Sequence, residues 1–305
     1  MRRKHVITCT AVLLPLLSAV PALVSAVTVH DFLVNPPGLE GIPHYHAEIA
    51  FDQHGNFVVV WVDRGLEHEN RQVFFQRFDS TGNRLTDPTL VSDTTINSNN
   101  SPDIAMSPSG RFVICWSTSI YSGGYYIGDI WTQGFDSSGG PAWSRQQVNE
   151  VRPVPYYDES HPSVAMDNEE NFVVVWQTED PTGRNVYAQR FDAFGERIGN
   201  NLLVSDINAS NYDLCEWLTL YPDVAFNSEG YFFTCWLGCV RCTGSPITPL
   251  ARVYNPAGQP ATLVFPFFAP CSSFWDYGSY PGVASKSLNN FVVVFCKYIT
   301  IIFIN

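Results

Sequence analysis

The chain has 305 residues, 17 of them basic against 29 acidic, giving a net charge of −12 and a pI near 4.9. So acidic a balance argues against nucleic acid and anionic lipid as electrostatic partners. Hydrophobic residues make up 45% of the chain, with 21 glycines and 21 prolines, a composition that suits a turn-rich globular protein with a sizeable core.

The chain opens on Arg2-Arg3-Lys4, an apolar run from Val6 to Val24 and the small-residue site Val24-Ser25-Ala26. This is the pattern of a secretory signal peptide over residues 1–26, cleaved after Ala26. The alternative, a membrane anchor, lacks a stop-transfer flank. Cleavage removes three basic residues and no acidic one, so the charge moves from −12 to −15. Residues 27–305 are expected to form a single domain that is secreted, periplasmic or held at the cell surface, with no membrane insertion of the mature chain.

From residue 46 onward one phrase returns five times. It reads Phe57-Val58-Val59-Val60-Trp61, then Phe112 to Trp116, Phe172 to Trp176, Tyr231 to Trp236 and Phe291 to Phe295, with closing aromatics 55, 60, 60 and 59 residues apart. Ahead of the phrase stands a short strand such as Ser101-Pro102-Asp103-Ile104-Ala105-Met106, His161 to Met166 or Tyr221 to Phe226. Gly55, Gly110 and Gly230 mark the turn between the two strands, each six residues before the tryptophan. Behind it come a third strand, as in Val186-Tyr187-Ala188-Gln189-Arg190-Phe191, and an Asp-x-x-Gly turn (Asp79 to Gly82, Asp136 to Gly139, Asp192 to Gly195, with Asn255 to Gly258 in the fourth copy). A fourth strand then carries Val91, Val148 and Val204.

Four short antiparallel strands per unit, repeated, predict an all-β fold: a β-propeller of four-stranded antiparallel blades. The phrase is apolar at consecutive positions, as a strand buried on both faces must be. Leu33-Val34-Asn35 matches the fourth-strand text, and Ile301-Ile302-Phe303 reads as the third strand of the last copy. Together they predict five blades closed by an N-terminal outer strand, which leaves no open sheet edge. A truncated six- or seven-bladed ring is the alternative.

Seven cysteines follow the leader. Cys115 and Cys235 stand beside the strand tryptophan where other copies have valine, and read as buried free thiols. Cys215, Cys239, Cys242 and Cys271 fall in neighbouring loops and are the disulfide candidates of an exported chain. Cys239-x-x-Cys242 lacks the second ligand pair of a zinc site, so no metal and no cofactor is expected.

The strand connections that vary in length all lie on one face, where binding usually resides. An aromatic followed by Asp recurs there, in Tyr157-Asp158, in Tyr212-Asp213 with Trp217, and in Trp275-Asp276-Tyr277; Tyr121, Tyr125 and Tyr126 share that face. Aromatic rings stack on sugar faces while carboxylates accept from hydroxyls, so these are candidate glycan-binding residues. The plainer reading is that the rings lid the blades and the aspartates form turns. A second group lies at the entry of the first strand of each unit: His46, Ser101, His161, Tyr221 and Tyr280 share one column, while Glu48, Asp103 and Asp223 form channel carboxylates. These would suit a cation or an acid/base pair, or would bind water or cap the neighbouring strand. No Gly-x-Ser-x-Gly, His-Glu-x-x-His or phosphate-binding loop occurs.

The Pro-x-Val-Ala-Met, Phe-Val-Val-Val-Trp and Val-Tyr-Ala-Gln-Arg-Phe-Asp strands, closed by the Asp-x-x-Gly turn, resemble β-propeller-type repeats of exported, mostly uncharacterised bacterial proteins. The resemblance is best from His161 to Asp206 and implies fold and export. The turns are also loosely similar to the Asp-box of sialidases, though the Ser-x-Asp-x-Gly-x-Thr-Trp order is absent. The leading expectation is a non-catalytic module that recognises glycan or a cell-surface protein through its loop face. The alternatives are a glycoside hydrolase of five-bladed type and a structural or adhesive surface repeat.

Overall fold

The computed structural model describes residues 34, 44–64, 71–93, 95, 98–150, 158–180, 183–206, 220–239, 247–266, 282–287, 290–294 and 302–304. The chain divides into two compact units, Met1–Leu39 and Glu40–Asn305, and all strands belong to the second. The expected signal peptide and, apart from Val34, the expected closing strand lie outside the described residues.

The fold is a β-propeller, without helix among the described residues. The first sheet runs β1 (His44–Phe51), β2 (Phe57–Asp63), β3 (Gln72–Phe78) and β4 (Thr89–Leu90). The second holds β5 (Asn99–Met106), β6 (Phe112–Ser122), β7 (Tyr125–Phe135) and β8 (Gln146–Gln147), and the third β9 (Asp158–Met166), β10 (Phe172–Asp180), β11 (Gly183–Phe191) and β12 (Arg197–Leu203). The fourth comprises β13 (Leu220–Phe226), β14 (Phe232–Cys239), β15 (Ile247–Tyr254) and β16 (Phe265–Pro266). A fifth sheet of β17 (Gly282–Ser287), β18 (Asn290–Val294) and β19 (Ile302–Ile304) has three strands among the described residues. Neighbouring strands pair antiparallel throughout, and β19 is the third strand that Ile301-Ile302-Phe303 led us to expect.

The consecutive apolar residues of the repeated phrase divide between two cores. Val58, Val60 and Val62 of β2 pack with Phe112, Ile114 and Trp116 of β6. The other face of β6, Val113 and Cys115, packs with Phe172, Val174 and Trp176 of β10. Val173 and Val175 then meet Phe232 and Trp236 of β14, and Phe233 and Cys235 continue towards Val283 of the fifth sheet. Each middle strand is thus the shared wall of two cores, so every position on it loses water and none can be polar without a partner.

The tight turns form the opposite face to the loops. Asp79 accepts from the amides of Thr81 and Asn83 at 2.9 Å each, and Gly82 takes φ 88°. Asp136 and Asp192 do the same in the next two copies, and Asn255 accepts from Gln259 in the fourth. Arginines then link blade to blade. Arg77 donates to the carbonyls of Ser137 and Ser138 in the next turn, and Arg190 to those of Pro256 and Ala257. In the second sheet glycine replaces that arginine: a β-carbon on Gly134 would fall 2.4 Å from Trp143, whose ring fills the space and reaches Gly195 of the third sheet. The first turn of the third copy carries Glu170, not glycine, at φ 65°. Its carboxylate compensates for the strained backbone by binding Arg111 at 2.8 Å and Ser109 at 2.7 Å, both from the preceding blade.

Candidate active site

The innermost strands β1, β5, β9 and β13 share a defect that sequence does not announce. On β5, Asn100 pairs with Ser117 and Asp103 with Cys115, so three steps face two and one residue is extra. The same three-against-two register shift occurs on β1, β9 and β13. Each is a β-bulge, which bends the strand and re-aims a side chain. The extra residue in each case adopts a left-handed backbone: His46 at φ 50°, Ser101 at 46°, His161 at 51° and Tyr221 at 54°. Such conformations cost of order 1–3 kcal/mol each in residues other than glycine and concentrate at functional sites. All four side chains line one cleft at the channel mouth, on the loop face, of about 370 Å³. Tyr280, the fifth member of the column, lies outside the described residues.

The channel carboxylates sit just below the bulges. Asp103 accepts from the amide of Ile104 and, at 2.8 Å, from that of Val164 in the next blade. Asp223 accepts from Ser163 Oγ at 2.7 Å on one side and from the amide of Val283 at 2.6 Å on the other. Each aspartate therefore ties its innermost strand to the next. Both keep some contact with solvent along the axis yet are ringed by strand backbone. Burial, reinforced by the charges of Asp223 and Glu48, pushes Asp103 up to about 7. Asp223 is raised mainly by burial, and Glu48 by burial and by the charge of Asp223. No cluster of residues suited to hold a metal ion occurs among the described residues.

The upper wall of the cleft carries a different carboxylate pair. Asp158 on β9 is the register partner of Glu179 on β10, and Glu179 is in turn the partner of Arg184 on β11. All three line the cleft, with Gln177, Ser160, Asn100, Ser117, Thr118 and Ser119. Arg184 holds Glu179 through Nε at 3.0 Å and Nη2 at 2.9 Å. Burial and the nearby charge of Glu179 raise Asp158 above its ordinary value, against a smaller opposing pull from Arg184. One oxygen of Asp158, Oδ1, is buried and has no hydrogen-bond partner among the described residues, and the same is true of His161 Nδ1. His161 meets Tyr221 edge to face at 4.8 Å, and burial, with the charges of His46 and Arg184, lowers it to about 4. The cleft is thus lined by residues that carry unsatisfied buried polar atoms, a feature that in a native structure marks a site with a role beyond packing.

Of the expected loop-face residues, Asp158, Tyr121 and Tyr126 are described, with the backbone of Tyr125; Tyr157, Tyr212, Asp213, Trp217, Trp275, Asp276 and Tyr277 lie outside the described residues. So do Cys215, Cys242 and Cys271, and of Cys239 only the backbone, paired with Ile247, is described. Cys115 and Cys235 are buried free thiols, and burial raises both well above the ordinary thiol range, which leaves them unreactive. Glu179 escaped the sequence reading. It follows the repeated phrase by three positions, so aligning the ends of the first two strands of each copy would have placed it opposite Asp158.

No protein-family model matches the chain, and no curated protein matches it in sequence. In three dimensions it is similar to the GH93 α-L-arabinofuranosidase of Fusarium graminearum with arabinobiose, at 12% identity and TM-score 0.54 over 82% of this chain and 74% of that one. The same fungus's enzyme with an iminosugar inhibitor aligns at 11% identity and TM-score 0.52, over 82% and 77%. A Hadza microbial sialidase aligns at 8% identity and TM-score 0.54, covering 83% of this chain but only 52% of its own. Identities this low establish the fold alone. No helix of the described residues is long and apolar enough to cross a membrane.

Proposed function

We propose that this chain is an exported glycoside hydrolase whose reaction centre is the Asp158–Glu179 pair in the channel-mouth cleft. The observation that carries this reading is the pairing itself. Residues directly opposed in an antiparallel ladder hold their Cβ atoms about 4.5–5.5 Å apart. Both side chains therefore rise from adjacent strands on one face of the sheet, the paired-carboxylate arrangement that glycoside hydrolysis uses. The two environments then assign the roles. Asp158, raised above its ordinary value by burial and by the charge of Glu179, is the acid: it gives a proton to the glycosidic oxygen as the bond to the anomeric carbon breaks. Glu179, ion-paired with Arg184, forms the bond to that carbon and is released when Asp158, now a base, takes a proton from the attacking water. His161 stays neutral at pH 7 and is placed to hydrogen-bond a sugar hydroxyl. The propeller likeness to sugar-cleaving enzymes supports this reading at the level of fold.

The test is a panel of aryl glycosides, pyranosides and furanosides, offered to the mature protein. Asp158→Asn and Glu179→Gln should each lower kcat/KM on the best substrate by about 10²–10⁴ while leaving the circular dichroism spectrum unchanged. Hydrolysis indifferent to both substitutions would overturn the assignment.

The second reading, a non-catalytic glycan-recognition module, draws on the ion pair between Glu179 and Arg184, which engages the carboxylate assigned as nucleophile. Under that reading the panel shows no turnover while glycan arrays show binding.

A further inference from the structure

The strand pair β6–β7 is longer than its counterparts, with eleven register pairs against nine in β10–β11, eight in β14–β15 and seven in β2–β3. Its ladder runs without interruption from Phe112↔Phe135 to Ser122↔Tyr125 and closes on Gly123-Gly124, both at positive φ (61° and 92°). Two left-handed central residues make a type I′ turn, the geometry that matches strand twist and stiffens a hairpin. What the sequence presents as a loop is therefore a rigid arm. Near its tip Tyr121 and Tyr126 are register partners, 65% and 61% exposed, with ring centroids 5.1 Å apart. Rings so exposed contribute little to folding; they form an apolar platform held open to solvent.

The platform continues the wall of the cleft. Ser119, two residues before Tyr121 on the same face of β6, lines that cleft. Its register partner Gly128, two residues past Tyr126 on β7, lies against Asp158: a β-carbon there would fall 2.6 Å from Asp158 Oδ1. At about 3.3 Å per residue the rings stand roughly 7 Å further along the strand than this contact, about one sugar unit away.

We infer that Tyr121 and Tyr126 form an aromatic sugar subsite adjoining the Asp158–Glu179 cleft, and that the ligand is a neutral oligosaccharide of more than one unit. The inference deepens the proposed function and rests on its placement of the reaction centre. Neutrality follows from charge. Among the described lining residues the only arginine or lysine is Arg184, whose charge is already matched by Glu179, so an acidic sugar would find no surplus cation there. Aromatic faces stack on the C–H faces of sugar rings whatever their hydroxyl pattern, so the platform selects for length more than for identity.

The experiment is calorimetric titration of the mature Asp158→Asn protein, which retains ligand without turnover, with arabino-, xylo-, manno- and cello-oligosaccharides of one to six units. For at least one series, affinity should rise as the chain lengthens beyond the first unit. Adding Tyr121→Ala or Tyr126→Ala should weaken the longer members by about tenfold and leave the monosaccharide unchanged. Tyr121→Phe, which keeps the ring, should behave as the parent, and Ile120→Ala, on the other face of the same strand, should be silent. Length-independent affinity, equal losses for short and long members, or no binding by any series would overturn the subsite. The two proposals fail separately. Length-dependent binding that needs Tyr121, without turnover of any aryl glycoside by the wild-type protein, removes only the hydrolase reading. Asp158-dependent turnover without a tyrosine effect removes only the subsite.

Discussion

At the scale of single residues, the axis of the molecule is acidic and dry enough for its charges to resist one another. Asp103 faces the carboxylates of Glu48 and Asp223, the thiol of Cys115, and the amides of Ile104 and Val164 that it binds. Its value of about 7 in the fold stands above the 3.8 of an ordinary aspartate, so the folded state holds the proton more tightly than the unfolded chain does. The stability this provides is full below about pH 4 and is lost as the pH rises through about 7. His161 acts in the opposite sense: lowered to about 4, it provides stability above its ordinary 6.5 that is lost as the pH falls towards 4. The two are separated by difference. Asp103→Asn should lower the melting temperature at pH 4.5, where one acceptor is replaced by a donor, and should flatten its decline between pH 5 and 8. A decline as steep as the parent's would show that Asp103 does not carry the effect.

At the scale of the element, the middle strand of each blade was the most legible part of the sequence. A run such as Phe172-Val173-Val174-Val175-Trp176 has no wet side, and the structure buries all five residues. The Trp176 indole also donates to Glu159 Oε2 at 2.7 Å, a buried carboxylate on β9 to which Thr178 is bonded as well. Trp176→Ala removes both packing and a donor and should cost about 3–5 kcal/mol in urea unfolding. A loss below about 1 kcal/mol would place the ring outside the core. The bulges were not legible. Ser101 and Tyr221 are not residues that favour a left-handed backbone, and the prolines after Ser101, His161 and Tyr221 point to an extended conformation instead. Their alignment in one column was visible; what the column does, turning four side chains into one cleft, is a property of strand pairing. Glu179 was hidden for the same reason, because its partnership with Asp158 exists only across a ladder. The Gly123-Gly124 turn, by contrast, was a local signal for a hairpin in a segment read as a loop.

At the scale of the whole molecule, the repeated cores imply that each blade needs a neighbour on both sides. The first sheet bears this out on its free side. Val59 and Trp61 belong to the face of β2 that points away from the second sheet, yet they are only 7% and 3% exposed. In a closed ring Trp61→Ala should destabilise by about as much as Trp176→Ala, some 3–5 kcal/mol; in an open arc it should be close to silent. Closure also has a functional consequence, since the cleft draws its lining from the first four sheets and requires them to converge on one axis. The five-blade count and the outer strand from Leu33-Val34-Asn35 complete this picture as a proposal, together with export through residues 1–26. The claim that the cleft cleaves glycosides through a protonated Asp158 is tested most directly by comparing leaving groups. With the best aryl glycoside series, Asp158→Asn should nearly abolish hydrolysis of substrates whose phenol is a weak acid and spare those whose phenol is strongly acidic, because the latter depart without a proton. The same substitution should remove the fall in kcat/KM that accompanies deprotonation of Asp158 as the pH rises. An Asp158→Asn enzyme that loses activity equally on both leaving groups, or keeps the parent's alkaline limb, would contradict the account.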